Sequence, residues 1–203
     1  MMPRVVRVDD PDLEFALLEA LETSRTIIFP TETVYGIGGN PWDDSVLDRV
    51  RRLKGRSPDQ PFTLHLPCVE EIDRYAAVDA FSRAIIDRLL PGPYTLLLPA
   101  LPKAPSSAVM DGAIGVRVPD HPLFDRTLRA LERSLFGTSV NRSGEPPLSD
   151  LRRIIDAFSN VDLIVEGQVR GTASSILDLT VRPVRVVRGT LPEDLALDDA
   201  ENG

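Results

Sequence analysis

The chain has 203 residues, long enough for one well-buried domain and short for two. Its 42% hydrophobic and 27% charged residues are those of a soluble globular protein, and no apolar run approaches the roughly 20 residues that span a bilayer. The single cysteine, Cys68, excludes an internal disulfide and points to a reducing, cytoplasmic setting.

The first ten residues, MMPRVVRVDD, carry no apolar signal-peptide core, so none is expected. PDLEFALLEALETS (11–24) has the apolar spacing of a helix, with Asp10 as the expected N-cap and Pro11 in the first turn. TIIFP (26–30) reads as a short buried strand followed by a Gly-rich turn. DDSVLDRVRRLKG (43–55) predicts a helix with Val46, Leu47, Val50 and Leu53 on one face, Asp43 or Asp44 as its cap and Gly55 as its stop. PFTLHLP (61–67) alternates as a strand, and 71–92 suggests one or two helices ended by Pro91-Gly92. Strands are predicted at 94–100, 113–119, 162–167, 174–179 and 184–189, and helices at 121–134 and 149–158. The order mixes strands and helices without strict βαβ units. An α/β (α+β) fold follows: a single domain built on a mixed parallel and antiparallel sheet surrounded by helices, over 1–190. The formal net charge of −8 is concentrated beyond it. Segment 191–203 holds five acids and no base, and is expected to be a flexible acidic tail; without it 26 acids face 23 bases.

Familiar catalytic signatures are missing. No glycine precedes a lysine, so there is no P-loop, and YGIGGN lacks the last glycine of a dinucleotide fingerprint. There is no G-x-S-x-G elbow, and two histidines with one cysteine make no zinc site. Three stretches remain. RVRRLKGR (49–56) packs five basic side chains into eight positions with no acid among them. Arg49, Arg51 and Arg52 lie off the apolar stripe as a solvated face, with Arg52 facing Asp48 at i, i+4. Lys54 and Arg56 flank Gly55. They suit a helix C-terminus, or leave it together to meet an anion; the residues alone leave both readings open. GTSVNRSGEPP (137–147) crowds Ser139, Asn141 and Ser143 into a loop able to hold an anion, although any tight turn uses the same residues. In FPTETVYGIGG (29–39), Thr31, Thr33 and Tyr35 alternate and so share one side, while His65 shares the Thr63 face of its strand.

Taken in order, PTETVYGIGG, KGR, PGPYTLLLPA, GVRVPDHP, TSVNRSG, SSILDL and VRVVRG resemble the YrdC/Sua5 family across roughly 10–190. That resemblance implies a twisted mixed sheet with a concave basic face. It also implies an L-threonylcarbamoyladenylate synthase, a nucleotidyltransferase that joins L-threonine, bicarbonate and ATP and releases pyrophosphate. The product serves N6-threonylcarbamoyladenosine modification of tRNA. It implies threonine contacts at Thr33, His65, Arg117 and Ser175, and ATP contacts at Lys54, Arg56, Gln60, Ser139, Asn141 and Arg188. Lys54 and Arg56 would be the catalytic pair, and Thr31 and Tyr35 would line the pocket. Gln60 stands where asparagine is usual, SVN replaces SAN, and Ser175 replaces a threonine. Mg²⁺ would be held through the phosphates with no protein metal site. The partners implied are the three substrates, with tRNA and downstream threonylcarbamoyl-transfer proteins beyond them. The chain is similar to the short form of the family, without the second domain of longer members. The rival expectations are a double-stranded RNA or tRNA-binding module without catalysis, which few aromatics (5%) disfavour, and a paralogue with other carbamoyl-adenylate chemistry.

Overall fold

The apolar periodicities resolve into four α-helices and eleven strands in a computed structural model, which describes residues 2–192. The acidic residues 193–203 lie outside the described residues. No helix among those described is long and apolar enough to cross a membrane.

The helices are α1 (Leu13–Glu22), α2 (Asp44–Lys54), α3 (Ala80–Leu89) and α4 (Leu151–Ala157). Helix α2 forms as its sequence predicts. The Asp43 carboxylate accepts the Ser45 and Val46 amide protons at its start, and Gly55 closes it in the left-handed region at φ 64°. Helix α1 starts later than predicted. Asp10 does not cap it; its carboxylate accepts the Asp12 N–H at 2.8 Å and its carbonyl the Leu13 N–H at 3.1 Å, which spends Pro11 on a turn before the helix. The helix expected over 121–134 contains a π-wound segment, Leu123–Leu128, that brings Leu123 and Leu128, five residues apart, into the same core with Phe124.

The strands are β1 (Arg4–Arg7), β2 (Ile27–Phe29), β3 (Gly36–Gly39), β4 (Thr63–His65), β5 (Tyr94–Pro99), β6 (Val109–Met110), β7 (Ala113–Arg117), β8 (Leu135–Ser139), β9 (Leu163–Glu166), β10 (Ser175–Asp178) and β11 (Arg185–Arg188). They form one mixed sheet in the order β1-β9-β2-β3-β8-β4-β7-β5-β10-β11, with β6 paired to β7. The Gly-rich turn expected after Phe29 is instead strand β3, antiparallel to β2 and β8. Its glycines permit close approach: a Cβ on Gly38 would lie 1.7 Å from the Phe136 carbonyl oxygen. The turn itself is the segment 30–35 between Phe29 and Gly36, which are paired in register, and it carries the hydroxyl-rich motif.

Packing decides where a cavity can open. On the β2/β9 half, Ile27, Phe29, Leu163 and Val165 pack under α1, while Ile28 and Ile164 pack on the opposite face with Val46 and Val50 of α2 and Ile154 of α4. On the β5/β7/β10 half, Leu96, Leu98, Ile114, Val116 and Leu177 pack with Ile85, Ile86 and Leu89 of α3. The intervening residues Thr95, Leu97, Gly115, Arg117, Ile176 and Asp178 face the other way, onto a cavity.

Candidate functional site

That cavity measures about 590 Å³, and its walls draw on β4, β5, β7, β8, β10 and β11 together with the 30–35 turn. Four guanidinium groups line it: Arg56, Arg117, Arg185 and Arg188. Two carboxylates line it as well: Asp178, taken up by the Thr180 amide and hydroxyl and by Arg185, and the exposed Asp111. The charge left over is positive, which suits an anionic ligand.

At one side Arg56 leaves the end of α2 and is fixed by backbone. Its Nη2 donates to the Pro61 carbonyl at 2.7 Å, and its guanidinium lies 5.2 Å from the centroid of the buried Phe62 ring. Gln60 and Ser139 also line this side. Lys54 does not line the cavity. It is buried, and its Nζ donates to the carbonyls of Ser139 and Asn141 and to Asn141 Oδ1. Those oxygens use all three ammonium protons. Asn141 accepts the Ser139 hydroxyl proton at 2.6 Å and donates to the Arg142 and Glu145 carbonyls, so the 139–145 loop is knitted around one buried cation. Burial and then the Arg56 charge push Lys54 down to about 7. The oxygen cage acts the other way, since only the ammonium can supply three protons.

Of the remaining basic residues of 49–56, Arg49 and Arg51 serve the fold and Arg52 is exposed. Arg49 reaches Asp162 at 3.0 Å, tying α2 to the start of β9. Asp48 pairs with Arg51 at 3.7 Å, at i, i+3, rather than with Arg52, and Arg51 also donates to the Pro58 carbonyl.

At the other side lies Arg117, almost wholly buried. Its Nη2 donates to Thr33 Oγ1 at 2.7 Å and stands 2.8 Å from Glu32 Oε1. Burial lowers its pKa and the Glu32 carboxylate opposes the shift. His65 lines the same side, 5% exposed and packed edge-to-face with Phe29 and at a 35° tilt to Phe124. Burial, and then the Arg117 charge, hold it down to about 3. The imidazole is therefore neutral at pH 7, and its Nδ1–H donates to the Thr63 carbonyl at 3.2 Å, leaving Nε2 an acceptor.

Thr31 lines the cavity and Thr33 sits behind it, while Tyr35 lines it and donates its hydroxyl proton away from it, to the Gly167 carbonyl at 2.6 Å. Burial raises the Tyr35 pKa, which keeps that hydroxyl a donor. Ser175 is not in the cavity. Strand alternation puts Ser174 there, 3.2 Å from Thr95 Oγ1, whereas Ser175 Oγ accepts the Thr190 N–H on the opposite face. Arg188 lines the cavity as expected and donates to the Ser174 carbonyl at 2.8 Å. Arg185 was missed. Strict alternation would send Arg185 and Arg188 to opposite faces, but a register shift in the β10/β11 ladder brings both onto the cavity. Glu32 was missed as well. The only signal was a lone carboxylate within a run of hydroxyls.

A family model for Sua5/YciO/YrdC domains, described as "Telomere recombination", matches residues 19–190. A threonylcarbamoyl-AMP synthase of Pyrococcus abyssi is 30% identical over 188 residues, which are 89% of this chain and 54% of that protein. One from Chromohalobacter salexigens is 34% identical over 164 residues, 79% of this chain and 89% of that protein. The chain thus spans about half the length of the first relative and most of the second. Among solved structures, P. abyssi Sua5 complexed with L-threonine matches with a TM-score of 0.86 at 28% identity, over 98% of this chain and 61% of that one. The structure of E. coli YciO matches at 0.85 and 26% identity, over 95% and 98%.

Proposed function

The chain belongs to the Sua5/YciO/YrdC family, and we propose that it is a threonylcarbamoyl-AMP synthase, joining L-threonine, bicarbonate and ATP into threonylcarbamoyl-AMP and pyrophosphate. The observation that carries this reading is a cavity of about 590 Å³ with four guanidiniums, split between a solvent-facing side at Arg56, Arg185 and Arg188 and a buried side at Arg117 and His65. Triphosphate belongs to the first side. The amino acid belongs to the second, its carboxylate on Arg117 and a polar hydrogen donated to His65 Nε2.

Threonine and bicarbonate combine into a carbamate with loss of water. A carbamate oxygen then forms the new bond to the α-phosphorus of ATP as the bond from that phosphorus to the pyrophosphate oxygen breaks. The carbamate is already an anion, so the protein supplies no nucleophile. Its work is to hold two anions in line and to receive the charge growing on pyrophosphate, which fixed guanidiniums in a partly dry cavity do well. Arg56 is the group best fitted to the triphosphate. Ser139 shapes its rim, with Gln60 beside it; Asn141 and Lys54 lie behind and hold the Ser139 loop in place, and Ser174 takes the place expected of Ser175. Mg²⁺ would ride on the phosphate oxygens, because of the cavity's two carboxylates Asp178 is already engaged by Arg185 and Thr180, and Asp111 alone offers too few ligands to hold the ion. The product would pass to the machinery that modifies tRNA. A double-stranded RNA-binding module without catalysis is not favoured.

Pyrophosphate release from ATP tests this. Release should require both L-threonine and bicarbonate and should fall at least tenfold in Arg56→Ala. Release indifferent to threonine would refute the reading.

A further inference from the structure

Glu32 has no role in the reaction as proposed, yet it is a carboxylate only 7% exposed, in the turn beside Arg117. Burying an ion pair costs desolvation on both sides, so its retention here calls for a reason beyond stability. The hydrogen-bond directions around it supply one. The Thr31 hydroxyl donates its single proton to the Val34 carbonyl at 2.7 Å, because a carbonyl can only accept. The 2.8 Å contact between Thr31 Oγ1 and Thr33 Oγ1 must then use the Thr33 proton. Thr33 Oγ1 has no proton left, and serves Arg117 as an acceptor at 2.7 Å. Both threonine hydroxyl protons of the turn are therefore spent within it. Arg117 Nη2 is held from two sides, by its hydrogen bond to the terminal oxygen of this relay and by the charge of Glu32 Oε1, 2.8 Å away as an ion pair.

We propose that Glu32 is a positioning residue for the amino-acid carboxylate: with the Thr33–Thr31 relay it clamps one nitrogen of the Arg117 guanidinium and so aims the rest of that group at the substrate. Arg117 Nε and both Glu32 carboxylate oxygens are buried without a hydrogen-bond partner, so the pair is joined by charge and close contact while its hydrogen-bonding capacity is left unspent by the fold. Without the Glu32 charge the guanidinium would be buried and uncompensated beside a water-accessible cavity, and would turn toward that water. The turn thus acts on substrate through Arg117.

This inference rests on the synthase reading, and its test separates the two. Steady-state pyrophosphate release and calorimetric L-threonine binding are measured for wild type, Glu32→Gln, Glu32→Asp and Thr31→Val. Glu32→Gln keeps the shape and removes the charge. It should raise the threonine KM at least tenfold while the ATP KM stays within twofold, and Glu32→Asp, which retains the charge, should fall between it and wild type. A purely structural carboxylate would instead lower kcat through a smaller active fraction and leave both KM values in place, which would overturn the proposal. Should Glu32→Gln fail to fold, Thr31→Val cuts the relay at its far end and must still raise the threonine KM alone; an unchanged value would equally overturn it. If wild type itself does not bind L-threonine, the synthase reading fails and takes this inference with it. Wild-type binding matched by Glu32→Gln overturns only the inference.

Discussion

Acid should weaken this fold through His65, and the size of the effect can be worked out. The imidazole is buried beside Arg117 and held down to about 3, whereas in the unfolded chain it titrates near 6.5. Between those values the unfolded state binds a proton that the folded state refuses. The stability contributed by neutral His65 is therefore complete above pH 6.5 and is lost as pH falls toward 3, at about 1.4 kcal/mol per pH unit. By pH 5, roughly 1.5 units below the unfolded value, the loss is about 2 kcal/mol. His121, the other of the two histidines, is also lowered by burial and acts in the same direction, as do the lowered carboxylates of Asp162 and Asp178 nearer pH 4. The His65 share is isolated by His65→Asn, whose amide can still donate to the Thr63 carbonyl. Urea unfolding of both proteins at pH 7.5, 6.5, 5.8 and 5.0 gives the stability difference at each pH. Wild type should lose about 2 kcal/mol relative to the variant between the first and last points. A difference that stays flat would mean that the folded imidazole accepts a proton near its ordinary pKa, and the neutral acceptor at the buried side of the cavity would be wrong.

Lys54 holds its three oxygens only as an ammonium, so kcat/KM for ATP should fall as pH rises through its lowered pKa, with the bend above pH 7; a profile flat to pH 9.5 would count against the cage. Gly38→Ala would put a methyl 1.7 Å from the Phe136 carbonyl oxygen and should cost about 3 kcal/mol or more by thermal or urea unfolding, since strands β3 and β8 would have to part. Gly55→Ala meets nothing within 4 Å and carries only the left-handed backbone penalty, about 1–2 kcal/mol on the same assay. Ser174→Ala should raise a substrate KM while Ser175→Ala leaves both KM values unchanged; the reverse result would mean that the strand alternation at β10 is misassigned.

Elements whose periodicity matched their burial were legible in the sequence. Helix α2 shows this best: its cap, its stop and its apolar stripe are all local, and all three are where the residues put them. Where neighbours decide, local reading failed. GIGG looks like a turn because four residues with three glycines carry almost no apolar signal, yet those glycines are what let Phe136 of the next strand approach. The N-terminal RVVR at β1 is too short to announce itself and becomes a strand by pairing in parallel with β9, some 160 positions away in sequence.

The site divides the same way. Arg56, Arg117, Arg188, His65, Thr31, Tyr35, Gln60 and Ser139, all named from sequence, line a single cavity though they come from distant segments. What residue type could not show is depth. Lys54 and Arg56 look equivalent on either side of Gly55, but the left-handed turn separates them: one reaches the cavity wall while the other is driven under the 139–145 loop. Ser174 and Ser175 are chemically identical, and only the β10 pairing with β5 tells them apart. Arg185 needs a bulge to reach the cavity, and nothing in VRVVRG predicts one. Glu32 needs Arg117 opposite it, 85 positions later, before its burial makes sense. In each case the missing quantity is a side chain's direction, which is fixed by strand register and not by local sequence. Substitutions that shift register, such as Gly38→Ala, should therefore disturb the cavity as strongly as substitutions of its own walls.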